Sequence, residues 1–193
     1  MSTAAQKAGL REQLRATGKT ISQEEHAAAS AELCARLPQE TIWREAKSVL
    51  LFTPLPDEPD IRPLFEAAWA SGKAAAFLRF DAASGSYLAC RVRKPDELQP
   101  GKFGVLEPGP DCPVLELNQL DFLLVPGVAF DLVGRRLGRG KGYYDRLLAG
   151  VPGHKCGAAF AWQLVATVPA EPHDVRLNSL LTPSRWLQCQ GAV

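Results

Sequence analysis

Polar and apolar positions change rhythm several times along the chain. The first stretch is mostly polar, with scattered apolar residues, and predicts a helix over about residues 3–16. A second helix opens at Ser22, where Ser22 and Glu25 have the spacing of a capping box. The uninterrupted apolar run at 49–52 predicts a buried strand. Asp60 is then expected to cap a helix that has Pro63 in its first turn and Gly72 at its close. A strand over 75–80, a turn around 83–86 and an antiparallel partner over 87–92 follow. Residues 94–114 carry five prolines with Gly101, Gly104 and Gly109 between them, and predict a long irregular loop. Such a loop is either a stiffened surface connection or part of a site. The run at 122–125 is continuously apolar and stopped by Pro126 and Gly127, which suits a strand buried on both faces of a parallel sheet. A helix from Tyr143, a strand over 156–160 and short strands near Leu180 and Trp186 complete the pattern.

This order of elements predicts an α/β fold, a single-domain three-layer α/β/α sandwich with a mostly parallel, Rossmann-like sheet. The 193 residues suffice for one full core, and no linker, repeat or low-complexity tract divides them. Lys and Arg number 22 against 21 Asp and Glu, a formal net charge of +1. That balance gives no reason to expect nucleic acid or an anionic membrane as the main partner. No apolar run approaches the roughly 20 residues that span a bilayer, and the start lacks the apolar core of a signal peptide. A cytoplasmic monomer is expected. The five cysteines are scattered without CxxC spacing, which indicates neither a disulfide framework nor a zinc site. His26, His154 and His173 lack HExxH spacing, and no GxSxG elbow is present.

The densest chemistry lies between residues 125 and 145, VPGVAFDLVGRRLGRGKGYYD. Gly138, Gly140 and Gly142 alternate with Arg139 and Lys141, follow Arg136 and Leu137, and lead into a helix beginning at Tyr143. Glycines at alternate positions let the backbone turn its N–H groups inward, and the cations and the helix N-terminus add positive charge. This is the composition of a phosphate cradle. A Walker A loop is excluded, because Gln13 stands where the first glycine before Gly18-Lys19-Thr20 belongs. A dinucleotide GxGxxG fingerprint is excluded because Gly142 comes one position early. A GxGxG loop remains, with Asp145 just inside the helix where a carboxylate suits the magnesium of a nucleotide.

The run from Arg136 to Asp145, RLGRGKGYYD, resembles the signature loop of the 5-formyltetrahydrofolate cyclo-ligase family, also called methenyltetrahydrofolate synthetases. The resemblance extends over nearly the whole chain. Lys7 to Arg11 matches a Lys-x-x-Leu-Arg pattern on the first helix, and the turn around Glu58 matches a glutamate-bearing segment. Phe103 to Pro108 matches a Gly-x-x-Glu-Pro segment, and His173-Asp174 with Thr182 matches the closing elements.

The resemblance implies conversion of 5-formyltetrahydrofolate and MgATP to 5,10-methenyltetrahydrofolate, ADP and phosphate. ATP would be held by Lys7, Arg11 and the loop Arg136, Leu137, Gly138, Arg139, Gly140, Lys141 and Gly142, with Tyr143 and Tyr144. Lys141 is the expected main contact to the γ-phosphate, with Arg139 its catalytic companion and Arg136 pairing with a phosphate from the rim. Glu58 would accept from the N–H donors of the reduced folate, with Thr53 nearby. Tyr143, Tyr144 and Trp162 offer flat faces to its rings. Asp145 and Asp174 would bind Mg2+ directly or through water. Taken singly, these residues have plainer readings: Lys7 and Arg11 suit a solvated helix face, Asp145 a helix dipole, one tyrosine core packing and His173 a surface position. A different enzyme on a similar sheet, such as a sugar-phosphate isomerase or an acyl transferase, would also explain an anion loop. So would a nucleic-acid module using the basic stretch from Arg135 to Lys141. A family member that binds folate without turning it over is a further alternative.

Overall fold

The structure, a computed structural model, describes residues 2–101 and 104–190. Helices α1 (Thr3–Gly18), α2 (Gln23–Arg36) and α3 (Thr41–Glu45) precede strand β1 (Ser48–Leu50). Helix α4 (Arg62–Ala70) leads to β2 (Ala74–Asp81) and β3 (Ser86–Arg91), and the small strands β4 (Leu98–Pro100) and β5 (Leu106–Pro108) follow. Then come β6 (Phe122–Val125), β7 (Ala129–Phe130), β8 (Arg136–Leu137), α5 (Tyr143–Leu148), β9 (His154–Ala158), β10 (Ser179–Leu181) and β11 (Trp186–Gln188).

Seven strands form one sheet in the order β11-β10-β9-β6-β1-β2-β3. The five central strands pair in parallel, and the outer β3 and β11 are antiparallel to their neighbours. The α/β expectation with a mostly parallel sheet is therefore met. Because side chains alternate faces along a strand, the continuous apolar runs split between two cores. Val49, Leu51, Phe122, Leu124 and Phe77 join one face with Leu33, Trp43 and Leu64 from the helices. Leu50, Leu123, Val125 and Ala76 join the other with Leu147 and Leu148 of α5. A third, smaller cluster seats α1: Leu10 and Leu14 pack with Val128, Ala129, Leu137 and Val168.

Local signals explain most boundaries. Ser22 caps α2 through the full capping box with Glu25. Helix α4 starts one residue later than expected: Ile61, not Asp60, is its N-cap, while Asp60 Oδ1 accepts from the Arg62 N–H at 3.1 Å. Strand β1 is shorter than the apolar run, since the chain leaves the sheet toward Pro54 and Pro56. The described residues of the stretch 94–114 include two short strands where a loop is expected. Its β4 and β5 pair antiparallel, with Pro100 and Pro108 at their ends where a missing N–H costs least. Phe103, part of the family match, lies outside the described residues. Before the glycine loop, β7 and β8 form a second small hairpin whose turn is held by the buried Asp131. Asp131 accepts from the N–H groups of Val133, Arg135 and Val168 at 3.1, 3.0 and 2.9 Å.

Candidate active site

From β1 the sheet order runs to β2 on one side and to β6 on the other. In open α/β sheets, ligands sit outside the carboxyl ends of the strands at such a switch point. A cleft of about 530 Å³ opens there, bordered by Thr53 and Glu58 after β1 and by Pro126 and Gly127 after β6. Its volume falls in the ordinary range for small-molecule sites.

The glycine loop forms one wall. Gly140 and Gly142 adopt φ of +100° and +64°, a region that side-chain-bearing residues rarely enter. Gly138 is small for a different reason: a Cβ there would stand 2.8 Å from Arg136 Nη1. Helix α1 closes over this wall from the face that presents residues 7, 10, 11 and 14. Arg11 Nε donates to the Gly138 carbonyl at 2.8 Å. Lys7 Nζ donates to Asp174 Oδ2 at 2.7 Å and Glu171 Oε2 at 2.8 Å. Burial opposes the Lys7 charge, but its two carboxylate partners outweigh this and hold the ammonium above its usual range. Asp174 answers in kind: burial pushes its carboxyl up, yet Lys7 and the Glu171 N–H hold it below the usual carboxylate value.

The other cations of the loop differ in setting. Arg136 is buried beneath the loop instead of standing at its rim, pairing with Asp145 at 2.9 Å and lying over the Tyr144 ring. Arg139 reaches across to Asp57 at 2.5 Å and Glu58 at 3.0 Å. Burial raises the Glu58 carboxyl above its usual range, against the opposing pull of the Leu55 N–H and Arg139. Lys141 is exposed, and its ammonium has no partner among the described residues.

Beyond the loop the lining becomes apolar and aromatic. Tyr143 packs edge-on against Tyr87, with centroids 5.0 Å apart, and Phe80 adjoins both. Leu55, Leu78 and Val105 also border the cleft. Thr53 Oγ1 donates to the Leu106 carbonyl at 2.8 Å, which fixes the β4–β5 hairpin beside the cleft. Glu107 of β5 is buried there and accepts from the Phe80 N–H at 3.0 Å. Glu171, His173 and Asp174 bring ligand atoms within 4.8 Å of one another at the α1 side.

The cleft thus gathers Lys7, Arg11, Thr53, Glu58, Asp145, Asp174 and residues 136–144. Trp162 is the exception and corrects the sequence reading. It stacks on Phe160 and packs under Gly18, among the residues that seat α1, and does not border the cleft. Its indole is used to anchor the helix. Sequence reasoning gave no role to Asp57, Tyr87 or Glu171, and Glu107 entered it only through the Gly-x-x-Glu-Pro match. Tyr87 and Glu107 sit in short strands whose facing depends on pairings that no local pattern specifies. Asp57 and Glu171 owe their place to cations 82 and 164 residues away.

Fold and cleft together define an α/β protein with a cationic glycine loop at the carboxyl end of its sheet. A model of the 5-formyltetrahydrofolate cyclo-ligase family matches residues 3–183. The 5-formyltetrahydrofolate cyclo-ligase of Escherichia coli (strain K12) is 36% identical over 145 residues, covering 72% of this chain and 80% of that protein. The Mus musculus cyclo-ligase is 27% identical over 192 residues, covering 91% of this chain and 92% of its own length. The NMR structure of Aquifex aeolicus 5,10-methenyltetrahydrofolate synthetase matches with a TM-score of 0.87 at 32% identity, covering 97% of this chain and 94% of that one. The chain belongs to the 5-formyltetrahydrofolate cyclo-ligase family of enzymes.

Proposed function

We propose that the protein converts 5-formyltetrahydrofolate to 5,10-methenyltetrahydrofolate at the expense of MgATP, releasing ADP and phosphate. Family membership supports the reaction, and the observation that carries it in this chain is the contact between Arg139 and Glu58. A phosphate-loop cation there touches the carboxylate assigned to the folate. Phosphoryl transfer from ATP to the formyl oxygen needs the two subsites in such contact.

The formyl group on a ring nitrogen is amide-like, so its oxygen is a poor leaving group. Attack of that oxygen on the γ-phosphorus releases ADP and gives an iminium phosphate. The bridge nitrogen then adds to the iminium carbon, loses its proton and expels phosphate as the ring closes. No step requires a covalent bond to the protein, so the residues' task is positioning and charge neutralisation. The N–H groups from Gly138 to Gly142 with Arg139, Lys141, Lys7 and Arg11 would hold the triphosphate, Lys141 nearest the γ-phosphate. Arg136, with Asp145 and Tyr144, supports the loop from below. Glu58 would accept from the reduced ring while Tyr143 and Tyr144 line its faces. Asp145 and Asp174 offer the hard oxygen donors that magnesium prefers, and the grouping of Asp174 with Glu171 and His173 fits a divalent cation. When bound with the nucleotide, Mg2+ supplies neutralisation of phosphate charge.

Five free, buried cysteines support a reducing compartment such as the cytoplasm. Among the described residues, no helix is long and apolar enough to cross a membrane. Mixing the protein with 5-formyltetrahydrofolate and MgATP should produce the near-ultraviolet absorbance of the methenyl product. It should vanish when ATP or magnesium is omitted. No product from folded, ATP-binding protein would refute the reading.

A further inference from the structure

Four carboxylates that border the cleft meet a cation: Glu58 meets Arg139, Asp145 meets Arg136, and Asp174 and Glu171 meet Lys7. Glu107 differs. It is 7% exposed, and among the described residues it joins no ion pair. Its Oε2 accepts from the Phe80 N–H, while its Oε1 is shielded from water and has no hydrogen-bond partner. Gly101 packs directly over the side chain, where any Cβ would collide with it. A buried carboxylate oxygen left unpaired is costly, and native structures rarely leave one without a role. An N–H donor entering with a ligand would supply the missing partner.

Position selects the donor. Glu107 stands on the aromatic wall with Tyr87 and Tyr143, whereas Glu58 is tied through Arg139 to the phosphate loop. The reacting end of a folded-in pterin, its N5-formyl group, must face that loop. With Tyr143 and Tyr144 against its faces, the far edge of the ring then points away from the loop and toward Glu107. That edge carries the 2-amino group and N3–H side by side, a donor pair that matches a carboxylate as a guanidinium does. Oε2 keeps a second lone pair beyond the one used by Phe80. Resting on the proposed reaction, we infer that Glu107 is a specificity-determining residue that reads the 2-amino and N3–H edge of the reduced pterin.

The test compares wild type with Glu107→Gln on 5-formyltetrahydrofolate and on its 2-desamino analogue. The variant keeps the Phe80 bond but turns one acceptor into a donor. Wild type should discriminate against the analogue. In Glu107→Gln, KM for 5-formyltetrahydrofolate should rise about 10- to 100-fold, the worth of a charge-assisted hydrogen bond. KM for ATP and the melting temperature should stay within error. Discrimination between the two folates should collapse in the variant, which a merely structural role would not produce. Glu107→Gln that discriminates as wild type does, or that raises KM for ATP and leaves the folate value alone, overturns the assignment. If the variant fails to fold, wild type decides alone, because equal KM for the two folates overturns it as well. Wild type that turns over neither compound refutes the proposed reaction and the assignment with it, a result distinct from those two.

Discussion

Replacing Lys7 with Met removes the ammonium that joins α1 to residues 171 and 174 and keeps most of the apolar stem. Two charge-assisted hydrogen bonds are lost, at 2.7 and 2.8 Å. The Asp174 side chain is 14% exposed, so its partnership is well shielded, whereas Glu171 at 41% contributes little through solvent screening. The net loss is about 2 kcal/mol, close to one good hydrogen bond between charged groups. For a chain of this size that lowers the melting temperature by roughly 4–8 °C. The pH dependence tests the cause. Asp174 has a lowered folded pKa, so its contribution is present above the unfolded value of about 3.9 and is lost as pH falls through the folded value. Lys7 has a raised folded pKa, so its contribution is present below about 10.4 and is lost as pH rises through the folded value. Thermal melts of both proteins from pH 3 to pH 10 should therefore differ by a constant amount across the middle of the range. The gap should narrow toward pH 3. Equal melting temperatures at pH 7, or a gap that is unchanged at pH 3, would refute the clamp.

Lys141→Ala should leave the melting temperature unchanged, since its ammonium has no partner among the described residues, and should cut kcat for methenyl formation at least tenfold; steady-state kinetics with a parallel melt decide it. Asp131→Ala should cost about 3 kcal/mol in urea unfolding, because three backbone N–H groups lose their acceptor and the β7–β8 turn loosens. A loss under 1 kcal/mol would show that water replaces the carboxylate.

The sheet and its helices were legible because their signals are local. Continuous apolar runs marked β1 and β6, and the Ser22–Glu25 pair marked the start of α2. The β4–β5 hairpin was hidden by the prolines that end its strands, which read as loop until the pairing is known. Strands β7 and β8 have two residues each, too few for any period to register. Within the cleft, residue types that bind phosphate were readable from the glycine loop, but partnerships were not. Arg136 and Arg139 look alike in sequence, yet one is buried on Asp145 and the other spans the cleft to Glu58, because β8 ends between them. Trp162 was misread since an aromatic near a site carries no mark of whether its ring faces ligand or helix.

The Lys7–Asp174 contact joins positions 167 residues apart. During synthesis at about 5–20 residues per second, α1 emerges roughly 8 to 35 s before the carboxylate that receives it. Its other seat, the cluster around Val128 and Leu137, is also made late. Of its sixteen residues only Lys7 and Leu14 are buried in the finished fold, so α1 exposes little apolar surface while it waits. A helix that must be held in reserve on the ribosome is served by being mostly polar.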